Sequence, residues 1–174
     1  EIEMFKQKNI EIDSFVFAQD AIAFVTSEKL PIDSISVENI AKILNGEFEN
    51  WSSLTSSNMP ITIYGRQSNS GTYDYVKNSL VIHFSPNAKQ MNGNAQIIET
   101  IKADESGIGY VSAGYVLNGN ADGLTILTVY DGKSKAFSPL DATAIASGDY
   151  FFQRPLFQYY RKSNYQKIKP FLDF

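Results

Sequence analysis

Residues 14–27 read Ser-Phe-Val-Phe-Ala-Gln-Asp-Ala-Ile-Ala-Phe-Val-Thr-Ser, apolar at most positions and lacking the strict alternation of a half-exposed strand. Such a run predicts a long strand buried on both faces, interrupted near Gln19-Asp20. Pro31 breaks the pattern. Further on, Ser36 stands where a helix N-cap belongs, Glu38 falls in the first turn, and Val37, Ile40, Ile43 and Leu44 recur at helical spacing. Gly46 takes the C-cap position of that helix, and Asn50-Trp51-Ser52 with Leu54 reads as loop. Residues 60–66 alternate as a short strand, Gln67-Ser68-Asn69-Ser70-Gly71 is a polar turn cluster, and from 72 to about 84 the period becomes helical.

A third helix is predicted over 94–103, with Ile97, Ile98 and Ile101 facing inward, followed by a short buried strand at Gly107-Ile108-Gly109-Tyr110-Val111. Residues 124–130 read as a further strand closed by Asp131-Gly132. Residues 150–161 form a long aromatic strand, which Pro155 demotes to an edge or a bend. Strands alternating with helices predict α/β architecture.

Composition narrows the chemistry more than the fold. At 174 residues, 43% hydrophobic and 20% charged, the chain has ordinary globular proportions and the length of one domain. No apolar run approaches the roughly 20 residues that span a bilayer. The absence of Cys excludes disulfides, thiol nucleophiles and thiolate metal sites. Fifteen basic against nineteen acidic residues give −4, which argues against a nucleic-acid partner. His83 is the only histidine, which rules out a multi-histidine metal site and argues against a Ser-His-Asp triad. No metal, cofactor or catalytic residue is expected, and the chain does not read as an enzyme. No charged-then-apolar leader follows Glu1, and 170–174 read like the interior of a helix, so the sequence is expected to be a piece of a longer chain.

The one local constellation with chemical direction is Arg66-Gln-Ser-Asn-Ser70-Gly71-Thr72. Loop amides ahead of a helix converge on one spot, and the helix dipole adds partial positive charge there. Ser70 and Thr72 bring hydroxyls, Gly71 lets a ligand approach the backbone, and Arg66 brings a planar fork suited to two oxygens of a tetrahedral anion. On residue types alone, an ordinary capped turn with a solvated arginine fits equally well. His83 reads as a surface or helix-end residue, Asp104-Glu105 as a solvated turn rather than paired catalytic carboxylates, and Trp51 with the aromatics of 150–160 as core rather than the lining of a sugar groove.

Several segments occur in a telling order: Asp20-Ala-Ile-Ala-Phe-Val; Ile40-Ala-Lys-Ile-Leu-Asn-Gly46 with Asn50-Trp51-Ser52; Arg66 with Ser70-Gly71-Thr72; Gly107-Ile-Gly-Tyr-Val111; Gly148-Asp-Tyr150; and Arg154-Pro-Leu156. This succession, covering nearly the whole chain, resembles the phosphate-binding proteins of ABC phosphate importers, the PstS-like family. The resemblance implies an α/β lobe of the type II periplasmic-binding-protein fold, a mixed sheet flanked by helices. It implies that 1–174 is a single ligand-binding lobe, that 14–27 and 150–161 are the strands crossing to the other lobe, and that the first lobe with its ligands lies upstream of Glu1. Arg66, Ser70, Gly71 and Thr72 match the family's second-lobe phosphate ligands. Some relatives carry an acidic residue two positions after the arginine, where this chain has Ser68. The implied function is binding of inorganic phosphate outside the cytoplasm, by a lipid-anchored or periplasmic monomer that hands it to the membrane permease of an importer. Another oxyanion such as sulfate or molybdate, or a sensory or adhesive domain reusing the fold, stays open beside it.

Overall fold

The computed structural model describes residues 2–119, 121–132 and 135–173. In chain order come helix α1 (Ile2–Gln7), strand β1 (Ile12–Ser27), strand β2 (Ser34–Ser36) and helix α2 (Val37–Leu44). A 3-10 turn at Trp51–Ser53 leads to β3 (Thr62–Arg66), α3 (Gly71–Leu80), β4 (Lys89–Met91) and α4 (Asn94–Ala103). Then follow β5 (Gly107–Ser112), α5 (Ala113–Leu117), β6 (Leu124–Ile126), β7 (Thr128–Tyr130), α6 (Ala142–Ser147), β8 (Gln153–Arg161) and α7 (Tyr165–Leu172). Among the described residues no helix is long and apolar enough to cross a membrane.

The main sheet runs β4-β3-β5-β1-β6, with β8 also pairing with β1. It is mixed: β3 is parallel to both β4 and β5, whereas β1 is antiparallel to β5 and β6. A small parallel pair joins β2 and β7. This is the α/β architecture expected of the sequence, with helices against a mixed sheet.

The chain divides into two compact units, Glu1–Gln19 with Arg154–Phe174, and Asp20–Gln153. The smaller unit contains the first half of β1 and nearly all of β8. In it the Lys162 N–H donates to the Glu11 carbonyl at 3.1 Å, and Phe17, Phe157 and Tyr159 are exposed. The larger unit holds the core: Ile22, Phe24 and Val25 from β1, Ile40, Ile43 and Leu44 from α2, Trp51, Ile97, Ile98 and Ile101 from α4, and Tyr110 and Val111 from β5. Each buried Ile, Leu or Val of that set contributes about 1.5–3 kcal/mol, as an upper bound.

Local signals placed several elements where the pattern put them. Ser36 caps α2, its hydroxyl accepting from the Asn39 N–H at 3.1 Å, and Gly46 turns the chain at φ +85° just past the helix end. Trp51 is fully buried, its indole N–H donating to the Ser106 carbonyl at 2.9 Å.

Other expectations are corrected. β1 is continuous through Gln19-Asp20; what changes there is burial, from an exposed first half to a fully buried second half, so only 21–27 is covered on both faces. Helix α3 stops at Leu80 rather than near 84, because Val81 takes the left-handed conformation at φ +54° and returns its N–H to the helix's last carbonyls. Residues 124–130 make two strands in different sheets, broken at Leu127, since β6 pairs with β1 and β7 with β2. The aromatic strand begins at Gln153; Tyr150 and Phe152 precede it as buried core residues, whereas Phe151, Phe157 and Tyr159, expected in the core, are exposed. Pro155 lies within β8, the strand set off the main path, in keeping with an edge position.

Asp104 is not in a simple solvated turn. Its Oδ2 accepts from the Tyr64 hydroxyl at 2.6 Å, and its Oδ1 accepts from the Ser106 N–H at 3.0 Å and the Ser106 hydroxyl at 2.7 Å. Thr62 Oγ1 and Ser106 Oγ lie 2.9 Å apart, so the cluster ties the start of β3 to the turn between α4 and β5. Burial opposes the Asp104 charge, but the hydrogen bonds from Tyr64 and Ser106, with the Lys89 ammonium, outweigh it and hold the carboxyl below its ordinary value. Burial, and then the Asp104 contact, push the Tyr64 phenol up. Glu105 alone behaves as a surface residue, paired with Lys29 at 2.6 Å.

Two stability predictions follow from this framework. A β-branched residue held at positive φ costs about 1–2 kcal/mol, and Val81 is 90% exposed, so it has little packing to lose. Val81→Gly should therefore raise stability by roughly 0.5–1 kcal/mol after glycine's unfolded-state entropy is counted, about 1–4 °C in Tm; a lower Tm in thermal unfolding would contradict the assignment. The second concerns acid. The unfolded Asp104 carboxyl titrates near about 3.9 and the folded one lower, so its stabilisation is present above about pH 4 and is lost as pH falls through the folded value. The stability gap between wild type and Asp104→Asn, measured by urea unfolding, should shrink between pH 6 and about pH 3. A constant gap would show that the Asp104 charge is not what stabilises the turn.

Candidate functional site

The four residues singled out from the sequence fall on one strand–loop–helix unit. Arg66 is the last residue of β3, Ser70 is the N-cap of α3, and Gly71 and Thr72 open its first turn. The turn between them closes locally, with the Ser70 N–H donating to the Gln67 carbonyl at 2.9 Å. Ser68 lies exposed at its tip.

Ser70 and Thr72 are buried, and the Ser70 Oγ accepts from the Thr72 N–H at 3.2 Å. That bond commits the Thr72 amide to the cap. A hydroxyl that accepts in this way still has its own proton to donate outward. Gly71 is exposed, does not adopt a positive φ, and a Cβ built on it would meet no atom within 4 Å. Neither backbone conformation nor crowding inside the chain demands glycine there.

Arg66 is held from two sides. Its backbone N–H donates to the Tyr110 hydroxyl at 3.2 Å, and its Nη1 donates to Asn94 Oδ1 at 3.4 Å. Tyr110 reaches that position because residue 65 is glycine: a Cβ there would lie 2.8 Å from the phenol oxygen. Burial raises the Tyr110 phenol well above its ordinary value, which keeps it protonated. The Arg66 Nε is buried with no hydrogen-bond partner. A guanidinium carries five donors and no acceptor, so an unpartnered one leaves a cationic donor unsatisfied. Among the described residues no carboxylate lies within ion-pair distance of Arg66.

Beside Arg66 is a cavity of about 180 Å³, walled also by Tyr73, Phe84, Lys89 and Tyr110. Phe84 stacks between Tyr73 and Tyr110, with ring centroids 4.6 and 5.9 Å away. Two cationic side chains and no acidic one line this space.

Tyr110 was visible in the sequence only as part of a buried strand, and Asn94 only as a helix start. No local pattern connects either to Arg66, because the links run to the start of α4, 28 residues on, and to β5, 44 residues on. His83 lies exposed in the segment after α3, consistent with a surface residue. Among the described residues no group of three His, Asp or Glu side chains is arranged to hold a metal ion.

Comparison with known proteins bears on the family and the fold. The family model described as PBP superfamily domain matches residues 1–174. The phosphate-binding protein PstS of Borreliella burgdorferi is 36% identical over 123 residues, covering 66% of this chain and 44% of its own length. The crystal structure of PstS from Borrelia burgdorferi aligns with a TM-score of 0.72 at 29% identity, over 97% of this chain and 67% of that one. An ABC-type phosphate transport receptor from Vibrio cholerae shares the fold, with a TM-score of 0.77 at 20% identity over 93% of this chain and 65% of that one. The chain spans about half the length of the curated relatives it matches.

Proposed function

The chain belongs to the PBP superfamily, and from that premise we propose that its Arg66–Thr72 loop holds inorganic phosphate in a solute-binding protein of an ABC phosphate importer. The observation that carries the reading is the buried Arg66 Nε, a cationic donor that the chain itself leaves unsatisfied. Arg66 keeps a buried, unpartnered Nε, no carboxylate among the described residues neutralises it, and Gly71 opens a ten-residue helix at a position where neither backbone conformation nor crowding demands glycine. Similarity to PstS proteins supports phosphate as the tetrahedral anion that fits.

In this reading Arg66 supplies charge and a two-pronged donor, and Ser70 and Thr72 supply hydroxyl protons. Gly71 supplies a backbone N–H that a ligand can approach closely, at the positive end of α3. No bond is made or broken. All 174 residues belong to one ligand-binding lobe, with β1 and β8 as the strands leading to another lobe of the complete protein. The protein works as a monomer outside the cytoplasm, and its partner is the importer's membrane permease.

Isothermal titration of phosphate into the full-length gene product tests the assignment. Arg66→Ala should weaken binding by about 2–4 kcal/mol, on the order of 30- to 1,000-fold, and Arg66→Lys should also weaken it, because charge remains but the fork is lost. Unchanged affinity in Arg66→Ala would refute the loop's role, and binding of sulfate or molybdate in place of phosphate would move the protein to another oxyanion. Gly71→Ala separates ligand approach from folding: with open space at its Cβ, thermal stability should hold or rise while phosphate affinity falls. Full affinity in Gly71→Ala would mean the backbone there is not approached.

A further inference from the structure

We infer that Asn94 is a positioning residue for Arg66, and that its being an amide rather than a carboxylate leaves the full arginine charge available to the anion. The inference rests on the phosphate reading above.

The register of the sheet brings the two residues together. Arg66 pairs with Met91 where β3 and β4 run parallel, so the segments that follow each strand leave the sheet side by side. Two contacts join them, Arg66 Nη1 to Asn94 Oδ1 at 3.4 Å and Gln67 Nε2 to Asn92 Oδ1 at 2.7 Å. The second segment is itself braced, the Asn92 N–H donating to Gln96 Oε1 at 2.9 Å. Every side chain that supports the loop from this direction is a neutral amide.

Chemistry fixes how Asn94 is turned. A guanidinium can only donate, so the amide must present its oxygen to Arg66 and direct its NH₂ elsewhere. An amide oxygen orients the cation without cancelling its charge. A carboxylate in the same place would orient it more strongly but would neutralise it and repel the bound anion. The acid-free cavity wall beside Arg66, which also carries Lys89, points the same way. Half-buried Asn94 is therefore a choice of charge as well as of shape.

The test compares wild type, Asn94→Ala and Asn94→Asp in the full-length gene product, titrating phosphate at low and high chloride. Asn94→Ala removes the support but no charge: affinity should fall several-fold, with the wild-type salt dependence retained. Asn94→Asp keeps an acceptor in place but adds a negative charge: affinity should fall on the order of tenfold or more, and the salt dependence should flatten. Side-chain NMR of the Arg66 Nε–H should show greater mobility in Asn94→Ala and not in Asn94→Asp, a readout that global destabilisation would not divide in this way. Wild-type binding with equal affinities or parallel salt curves in all three proteins overturns this inference alone, as does tighter binding by Asn94→Asp. Failure of the wild type to bind phosphate overturns the functional reading and this inference with it.

Discussion

Strand β3 has a parallel partner on each side, with Arg66 opposite Met91 of β4 and Thr62 opposite Gly107 of β5. Everything that reaches the candidate loop does so through this double register. It sets Tyr64 against Gly109 and Lys89, which places the Lys89 ammonium 5.1 Å above the Tyr64 ring. One residue beyond Gly109, Tyr110 lies against Gly65 and puts its hydroxyl within reach of the Arg66 N–H. The same pairing delivers Asn92 and Asn94 to Gln67 and Arg66. A slip of one residue would turn every β3 side chain to the opposite face and dissolve all of these contacts together.

The two ends of β3 carry opposite chemistry. At its start, Asp104 gathers three hydrogen bonds and fastens the strand to the turn before β5. That carboxylate is satisfied by donors of the chain itself, so it acts as a structural clasp. At the far end, Arg66 has one neutral side-chain partner and a buried nitrogen with none. A clasp spends its charge internally, whereas a binding residue must keep some of its charge unspent. The strand thus holds fixed the end that needs rigidity and leaves uncompensated the end that faces an anion in the proposed function.

Much of the scaffold is set by local pattern. Helix α2, with its Ser36 cap and the 3.6-residue recurrence of Ile40, Ile43 and Leu44, follows from near neighbours alone, as does α4 with its inward isoleucines. The candidate loop is legible for the same reason: Arg66, Ser70, Gly71 and Thr72 are close in sequence, and a polar turn ahead of a helix is a local event. Where the pattern misleads, a distant partner decides. The break at Leu127 arises because the residues on either side of it join different sheets, and Asp104 is drawn from solvent by a tyrosine 40 residues earlier.

By itself, then, the sequence determined the α/β class, most of the core, and which short segment is the candidate anion site, because these depend on periodicity and on groups a few residues apart. It could not determine what surrounds Arg66. The tyrosine under its backbone, the glycine that admits that tyrosine and the asparagine beside its guanidinium meet only when β3, β4 and β5 align, and no local propensity encodes contacts across 28 or 44 residues. The electrostatic state of the arginine was therefore a decision of the tertiary structure, since it depends on which charges the fold brings near and which it keeps away.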